Sequence, residues 1–196
     1  MLDESTYLGK RLSFNDALCT VRYSGPLPDQ AGDWLGVEWD EPDRGKHNGR
    51  YRGTRLFSTL STSASCASFI RATRRADAPR GFLQALRYKY AEHGLEHSMV
   101  EPDGSIEISG KLVEEVGFER IRQQQALLHE LSIVLLDGLR IRGLGPGTDI
   151  HKVQEEIENI CPNITELGLS RNLFEDWNDI VDICSPLKKL RVLKAR

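Results

Sequence analysis

Between residues 8 and 73 the apolar residues fall in short runs broken by turn formers: Arg11 to Phe14, Ala17 to Tyr23, Trp34 to Trp39, Thr54 to Ser58 and Ser68 to Thr73. Ser24-Gly25-Pro26 and Glu41-Pro42-Asp43 lie between them. Short strands joined by such turns predict a small all-β barrel, with glycines at its corners. Phe14, Tyr23, Trp34, Trp39, Phe57 and Phe69 are enough aromatic volume for so small a core.

Within this region stands Gly45-Lys46-His47-Asn48-Gly49. Glycine lets the main chain take φ > 0 and approach a partner closely, while Lys46, His47 and Asn48 offer donors suited to a carboxylate. The loop therefore reads as part of a peptide-reading surface. For Lys46 the plainer alternative is a solvated turn lysine. Trp34 and Phe57 read either as groove or as core, and His47 as a solvent-facing turn residue or a ligand contact.

At 196 residues the chain has room for one ordinary domain or two small ones, and 39% apolar with 28% charged residues is the balance of a soluble globular protein. A net charge of −3 gives no whole-chain attraction to nucleic acid. No run approaches the ~18 apolar residues that span a bilayer. Neither nucleic acid nor membrane is an expected partner. Charge is nevertheless uneven: Arg71, Arg74, Arg75, Arg80, Arg87 and Lys89 face Asp77 alone, whereas acids dominate 149–182. The basic run is a solvated face or an attraction for an acidic partner.

Cys19, Cys66, Cys161 and Cys184 form no CxxC pair and lack companion histidines, which argues against zinc and for reduced cytosolic thiols. Asn163-Ile164-Thr165 fits a glycosylation acceptor, but the first residues lack a secretory pattern, so the match reads as accidental. His47, His93, His97, His129 and His151 lie far apart, with no nucleophile turn and no phosphate loop. The chain is expected not to be an enzyme and to need no cofactor.

Residues 74 to 80 are polar and contain Pro79, which marks a domain edge. Phe82, Leu83, Leu86, Tyr88 and Tyr90 predict a short helix, Ser105 to Ile108 a brief strand, and Lys111 to about Ala126 an amphipathic helix. Beyond, Leu128-x-x-Leu131-x-Ile133 is echoed by Ile164-x-x-Leu167-x-Leu169-x-x-Asn172 and by Leu190-x-x-Leu193-x-Ala195. This is the outline of leucine-rich repeats, whose alternating apolar residues turn one strand face inward. Leu136 stands where the first copy would carry its asparagine. A solenoid needs roughly three repeats and a cap, so the chain reads as a fragment.

Gly9-Lys10-Arg11, Trp34-x-Gly36-Val37-Glu38-x-Asp40, the Gly45 to Gly49 loop, Gly53-Thr54-Arg55-x-Phe57 and Phe69-Ile70-Arg71 together resemble a CAP-Gly domain over about residues 8 to 75. The resemblance implies a curved, SH3-like β-barrel that binds acidic C-terminal peptides ending in an aromatic residue with a free carboxylate. It implies that Lys46 and Asn48 meet that carboxylate or neighbouring acids, and that Gly45 and Gly49 keep the loop tight. Trp34, Phe57 and Phe69 would line the groove, with the guanidinium of Arg71 beside it. The commonest family motif reads Gly-Lys-Asn-Asp-Gly, so His47 and Asn48 are departures that remove a negative charge. Residues 58 to 68, rich in serine and without the usual glycines, are another.

Such a domain followed by leucine-rich repeats resembles the tubulin-folding cofactor E family of chaperones. The expected layout is a CAP-Gly domain over 1–75, a linker over 76–110, and a helical cap with leucine-rich repeats over 111–196. The fold class is then mixed: a small all-β barrel followed by an α/β solenoid segment. The resemblance implies α-tubulin as partner, its acidic tail held by the barrel and its body by the repeats. It also implies companion tubulin-folding cofactors in assembling and taking apart the α/β-tubulin heterodimer, and a cytoplasmic, cytoskeleton-associated location. The alternative is a microtubule-associated CAP-Gly adaptor or plus-end protein that binds polymer rather than free tubulin. A general scaffold whose repeats bind some other protein is a further possibility.

Overall fold

A computed structural model describes residues 7–92 and 126–195. The chain forms two compact units, Met1–Pro79 with Arg171–Asp176, and Arg80–Ser170 with Trp177–Arg196. The strand expected at Ser105 to Ile108, and all but the end of the helix expected from Lys111 to about Ala126, fall outside the described residues.

The first unit carries β1 (Arg11–Phe14), β2 (Ala17–Pro26), β3 (Asp33–Trp39), β4 (Arg50–Tyr51), β5 (Thr54–Arg55) and β6 (Ala67–Arg71). Four of them form an antiparallel sheet in the order β1-β2-β3-β6, and β4 pairs with β5 as a separate ribbon. Two boundaries depart from the sequence reading. β2 continues through the expected turn at Ser24-Gly25-Pro26, with Pro26 opposite Asp33 at the strand end, a position where a missing N–H is tolerated. β5 stops after two residues, because the next amides, of Leu56 and Phe57, turn to the Gly49 carbonyl.

Period-2 alternation sorts β3 onto two faces. Leu35, Val37 and Trp39 pack with Phe14, Ala17, Cys19, Val21 and Ile70 into the main apolar cluster. Trp34, Gly36 and Glu38 lie on the other face, opposite Arg71, Phe69 and Ala67 of β6. The turn between β1 and β2 uses Asn15 and Asp16 in the left-handed region, and the Asp77 carboxylate accepts from both their amides and from the Ser13 hydroxyl. Arg11 forks onto Asp40 at 2.5 and 2.6 Å. Two charged members of the CAP-Gly-like pattern are thus structural.

In the second unit, α1 (Phe82–Arg87) buries Phe82, Leu83, Ala85 and Leu86 and continues as a π-helical turn, Tyr88–Glu92. Strands β7 (Ile133–Leu135), β8 (Glu166–Gly168) and β9 (Val192–Lys194) then pair in parallel, linked by helices α2 (Ile150–Ile160) and α3 (Trp177–Cys184). Asp149 caps α2 by accepting from the amides of His151 and Lys152. Among the described residues the unit is a three-stranded sheet with unequal links, and no regular leucine-rich-repeat solenoid is evident.

The register corrects the first repeat. Val134 pairs with Leu167, and Leu193 pairs with Leu167 from the other side. The matching copy is therefore Leu131-x-x-Val134-x-Leu136, three residues beyond the one read from the sequence. Val134 and Leu136 are fully buried, whereas Ile133 is 57% exposed. An odd slip inverts every side chain between core and solvent. Leu136, taken as a missing asparagine, is core.

All four cysteines are free. Burial pushes the thiols of Cys19 and Cys161 up to about 12, so both stay protonated at neutral pH. The Asn163 side chain donates to the His129 carbonyl and accepts from Lys189, a local structural role.

Candidate functional site

The face of the first sheet away from its main core is built on a bare backbone. At Gly36 an added Cβ would lie 2.4 Å from the Phe57 ring and 2.9 Å from Tyr23 Cβ. Glycine there lets the Phe57 ring pack directly against β3. A bulge in β2 brings Tyr23 to the same place: Val21 pairs with Val37 but Tyr23 pairs with Gly36, so one extra residue, Arg22, is inserted. Without that insertion Tyr23 would oppose Leu35 and point into the main core. The sequence alternation therefore misassigns it.

Phe69 of β6, opposite Gly36, is the hub of a ring cluster. Tyr23, Tyr51 and Phe57 meet it edge-on at centroid distances of 6.1, 5.7 and 5.6 Å, and His47 lies tilted on it at 4.5 Å. Phe57 is nearly buried and serves as core and floor together. Tyr51, two residues past the loop in β4, was not selected from the sequence. Its signal was an aromatic beside a glycine loop.

The loop itself corrects the reading that its glycines approach a bound partner. They approach the protein's own backbone. A Cβ on Gly45 would meet the Ala67 oxygen at 2.3 Å, and one on Gly49 would meet the Phe57 oxygen at 2.1 Å. The Lys46 and His47 amides both donate to the Ala67 carbonyl, at 2.7 and 3.1 Å, and the Ala67 amide returns a bond to His47. The loop is in effect stitched to β6.

His47 is neither a free turn residue nor a plain surface donor. Its ring is half-buried against Phe57 and Phe69, and Nδ1 accepts from the Gly49 amide at 3.1 Å. That bond assigns the proton to Nε2, which is buried without a partner among the described residues. Desolvation lowers its pKa below 6.5 and keeps it neutral. Asn48 follows it, half-buried.

Three cations border the ring cluster, and one of them, Arg52 over the Tyr51 ring at 5.7 Å, is already paired with Asp29 at 2.5 Å. Lys46 is exposed, and its ammonium has no hydrogen-bond or ion-pair partner among the described residues. Arg71 stacks over Trp34 at 4.7 Å, and its Nη1 donates to the Ala31 carbonyl at 3.1 Å. No carboxylate pairs with it among the described residues. The serine-rich segment after Phe57 is held by Glu38, a buried carboxylate that pairs with Arg22 at 2.8 Å and accepts from the Ser61 amide at 2.8 Å. Further along the basic run the charges are spent locally: Arg87 pairs with Glu156, Lys89 donates to the Leu135 carbonyl, and Arg80 stacks on Tyr88. A free basic patch beyond Arg75 is therefore not formed by these three.

The sequence-predicted set is thus partly brought together. His47, Phe57 and Phe69 form one ring cluster with Gly36 beneath and Gly49 behind, Lys46 stands at one end of β6, and Trp34 with Arg71 at the other. Among the described residues no group of three or more His, Cys, Asp or Glu could hold a metal ion. No described helix is long and apolar enough to cross a membrane.

Comparison with known proteins agrees with this geometry. Residues 8–75 match the family model of the CAP-Gly domain. The chain is 38% identical over 96% of its length to "Tubulin-specific chaperone E" of Bos taurus, spanning 34% of that protein. It is 35% identical, with the same coverage, to the protein of that name from Homo sapiens. It is 32% identical over 97% of its length to "Tubulin-folding cofactor E" of Arabidopsis thaliana, spanning 35% of it. The chain therefore spans about a third of the length of these relatives. Residues 8–75, with their antiparallel sheet and glycine loop packed on an aromatic face, belong to the CAP-Gly domain family.

Proposed function

We propose that the chain is part of a tubulin-folding chaperone, and that its CAP-Gly unit holds the acidic C-terminal tail of α-tubulin. The relatives' names, tubulin-specific chaperone and tubulin-folding cofactor, support the folding role. The observation that carries the tail is the ring cluster around Phe69, bordered by Lys46 and Arg71, which meet no carboxylate among the described residues. Lys46 and Asn48 take the terminal carboxylate, the rings take the last aromatic residue, and Arg71 stands beside an upstream acid. The protein acts by binding and not by bond chemistry.

In this reading β7 to β9 are the start of a leucine-rich-repeat surface that touches the folded body of α-tubulin. Two weak contacts on one chain raise each other's effective concentration, so tail and body are captured together without a deep pocket. Companion tubulin-folding cofactors would then act on the captured subunit during assembly and disassembly of the heterodimer, in the cytoplasm. The domain layout proposed is 1–75, 76–110 and 111–196.

The test is a titration of a peptide ending in Glu-Glu-Tyr against the chain and its Lys46→Ala variant. Lys46 is exposed and screened, so the expected loss is about 1 kcal/mol or less. Equal affinity for both forms, together with unchanged binding after removal of the last tyrosine, would sink the assignment.

A further inference from the structure

We infer that Arg22 and Glu38 are a positioning pair for the ligand's terminal aromatic residue: their ion pair holds the β2 bulge in the arrangement that puts Tyr23, and not Arg22, against the ring cluster. This deepens the reading above and rests on it. Val21 stands opposite Val37 and Tyr23 opposite Gly36, with Arg22 as the extra residue between them. Closing the bulge from the Val21 side would set Arg22 opposite Gly36 and Tyr23 opposite Leu35. A guanidinium would then lie where a ring lies now. A bulge leaves its extra residue out of the ladder, so a side-chain bond is what can fix it. Arg22 Nε donates to Glu38 Oε2 at 2.8 Å, and Glu38 lies on the same face of β3 as Gly36.

The same carboxylate reaches the other segments that carry the rings. Its Oε1 accepts from the Ser61 amide at 2.8 Å, in the irregular stretch between Phe57 and β6, and Ala67 of β6 is its partner across the sheet. Tyr23 stacks on Phe57 at 6.5 Å and meets Phe69 edge-on at 6.1 Å. The chain segments bearing these three rings therefore all meet at Glu38. Its side chain is only 8% exposed, and a buried carboxylate is costly without partners, so the Arg22 and Ser61 bonds stand or fall together. Arg22 brings no free charge to a ligand, because Glu38 occupies it. It acts through Tyr23, on the aromatic contact alone.

The experiment titrates peptides ending in Glu-Glu-Tyr and Glu-Glu-Ala against the full chain, since the ratio of the two affinities isolates the aromatic contact from charge. Arg22→Ala should shrink that ratio about two- to tenfold while leaving affinity for the alanine peptide unchanged, and Arg22→Lys should restore part of it. In a Tyr23→Ala background the ratio should not respond to Arg22→Ala, because the two act as one unit. Nuclear Overhauser contacts between the Tyr23 and Phe57 rings, measured without peptide, should weaken in Arg22→Ala as well. An Arg22→Ala variant that weakens both peptides alike, adds in full to Tyr23→Ala, or keeps the Tyr23 to Phe57 contacts overturns the positioning role. Equal affinity of the unmodified chain for the two peptides would instead overturn the tail-holding reading, and the Overhauser contacts would still decide what places Tyr23. Should Arg22→Ala not fold, Arg22→Met keeps the stem without the charge and is held to the same outcomes.

Discussion

Three glycines near the ring cluster separate two costs that one alanine substitution usually mixes. Gly53 has φ +85° with nothing within 4 Å of an added Cβ, so alanine there adds only left-handed strain, about 1–2 kcal/mol. Gly45 has no left-handed φ, but its Cβ would meet the Ala67 oxygen at 2.3 Å and nitrogen at 2.4 Å. That is overpacking alone, about 1–3 kcal/mol. Gly49 combines both, with φ +90° and the Phe57 oxygen at 2.1 Å, for a sum of about 2–5 kcal/mol. Gly→Ala also narrows the unfolded ensemble by about 0.4–1 kcal/mol, equally at all three, and cancels in the comparison. The expected stability loss from urea unfolding therefore grows from Gly53→Ala to Gly49→Ala, with a gap of about 1–3 kcal/mol. Trp34 beside the site and Trp39 in the main core report the transition by fluorescence. Affinity for the acidic peptide should fall with Gly49→Ala, because Phe57 must move, and persist with Gly53→Ala. Equal destabilisation by these two would refute the claim that Gly49 exists for close approach to Phe57.

Other outcomes follow from the same geometry. His47 has a folded pKa below its unfolded 6.5, so the native state binds fewer protons there and its contribution to stability is complete above pH 6.5 and declines as the pH falls below it. His47→Asn, which keeps an acceptor for the Gly49 amide, should reduce that acid loss in unfolding curves taken between pH 5 and 8. Glu38→Ala leaves Arg22 without its partner and the Ser61 amide without its acceptor, which should cost about 3 kcal/mol and speed hydrogen exchange at Ser61. At the end of β7, Leu136→Ala, just past the strand, should cost about 2–5 kcal/mol and Leu135→Ala, its last residue, well under half of that, since Leu136 is fully buried and Leu135 is 40% exposed. Equal costs at these neighbours would mean that the register is wrong.

Much of the fold was written locally. The runs at Arg11 to Phe14 and Trp34 to Trp39, the helix at Phe82 and the buried Ile164-x-x-Leu167-x-Leu169 were legible because each is a short periodic stretch whose own residues set which face is apolar. The need for glycine at 45 and 49 was legible as well, though what those glycines approach was not, and the need at 36 emerged only from the Phe57 ring packed against it.

What the chain could not state locally is where periodicity is broken or slipped. One inserted residue at Arg22 carries Tyr23 from the main core to the ring cluster, and a three-residue slip turns Ile133 outward and Val134 inward. Alternation has a period of two, so any odd displacement inverts it, and only the pairing partner across the sheet reveals the displacement. His47 shows the same division: its residue type and place in the loop were plain, but its neutrality and its seat on Phe69 arise from burial that β6 supplies. The sequence determined which residues the loop and strands carry, and tertiary pairing decided which of them meet, because register and burial are set by partners far along the chain.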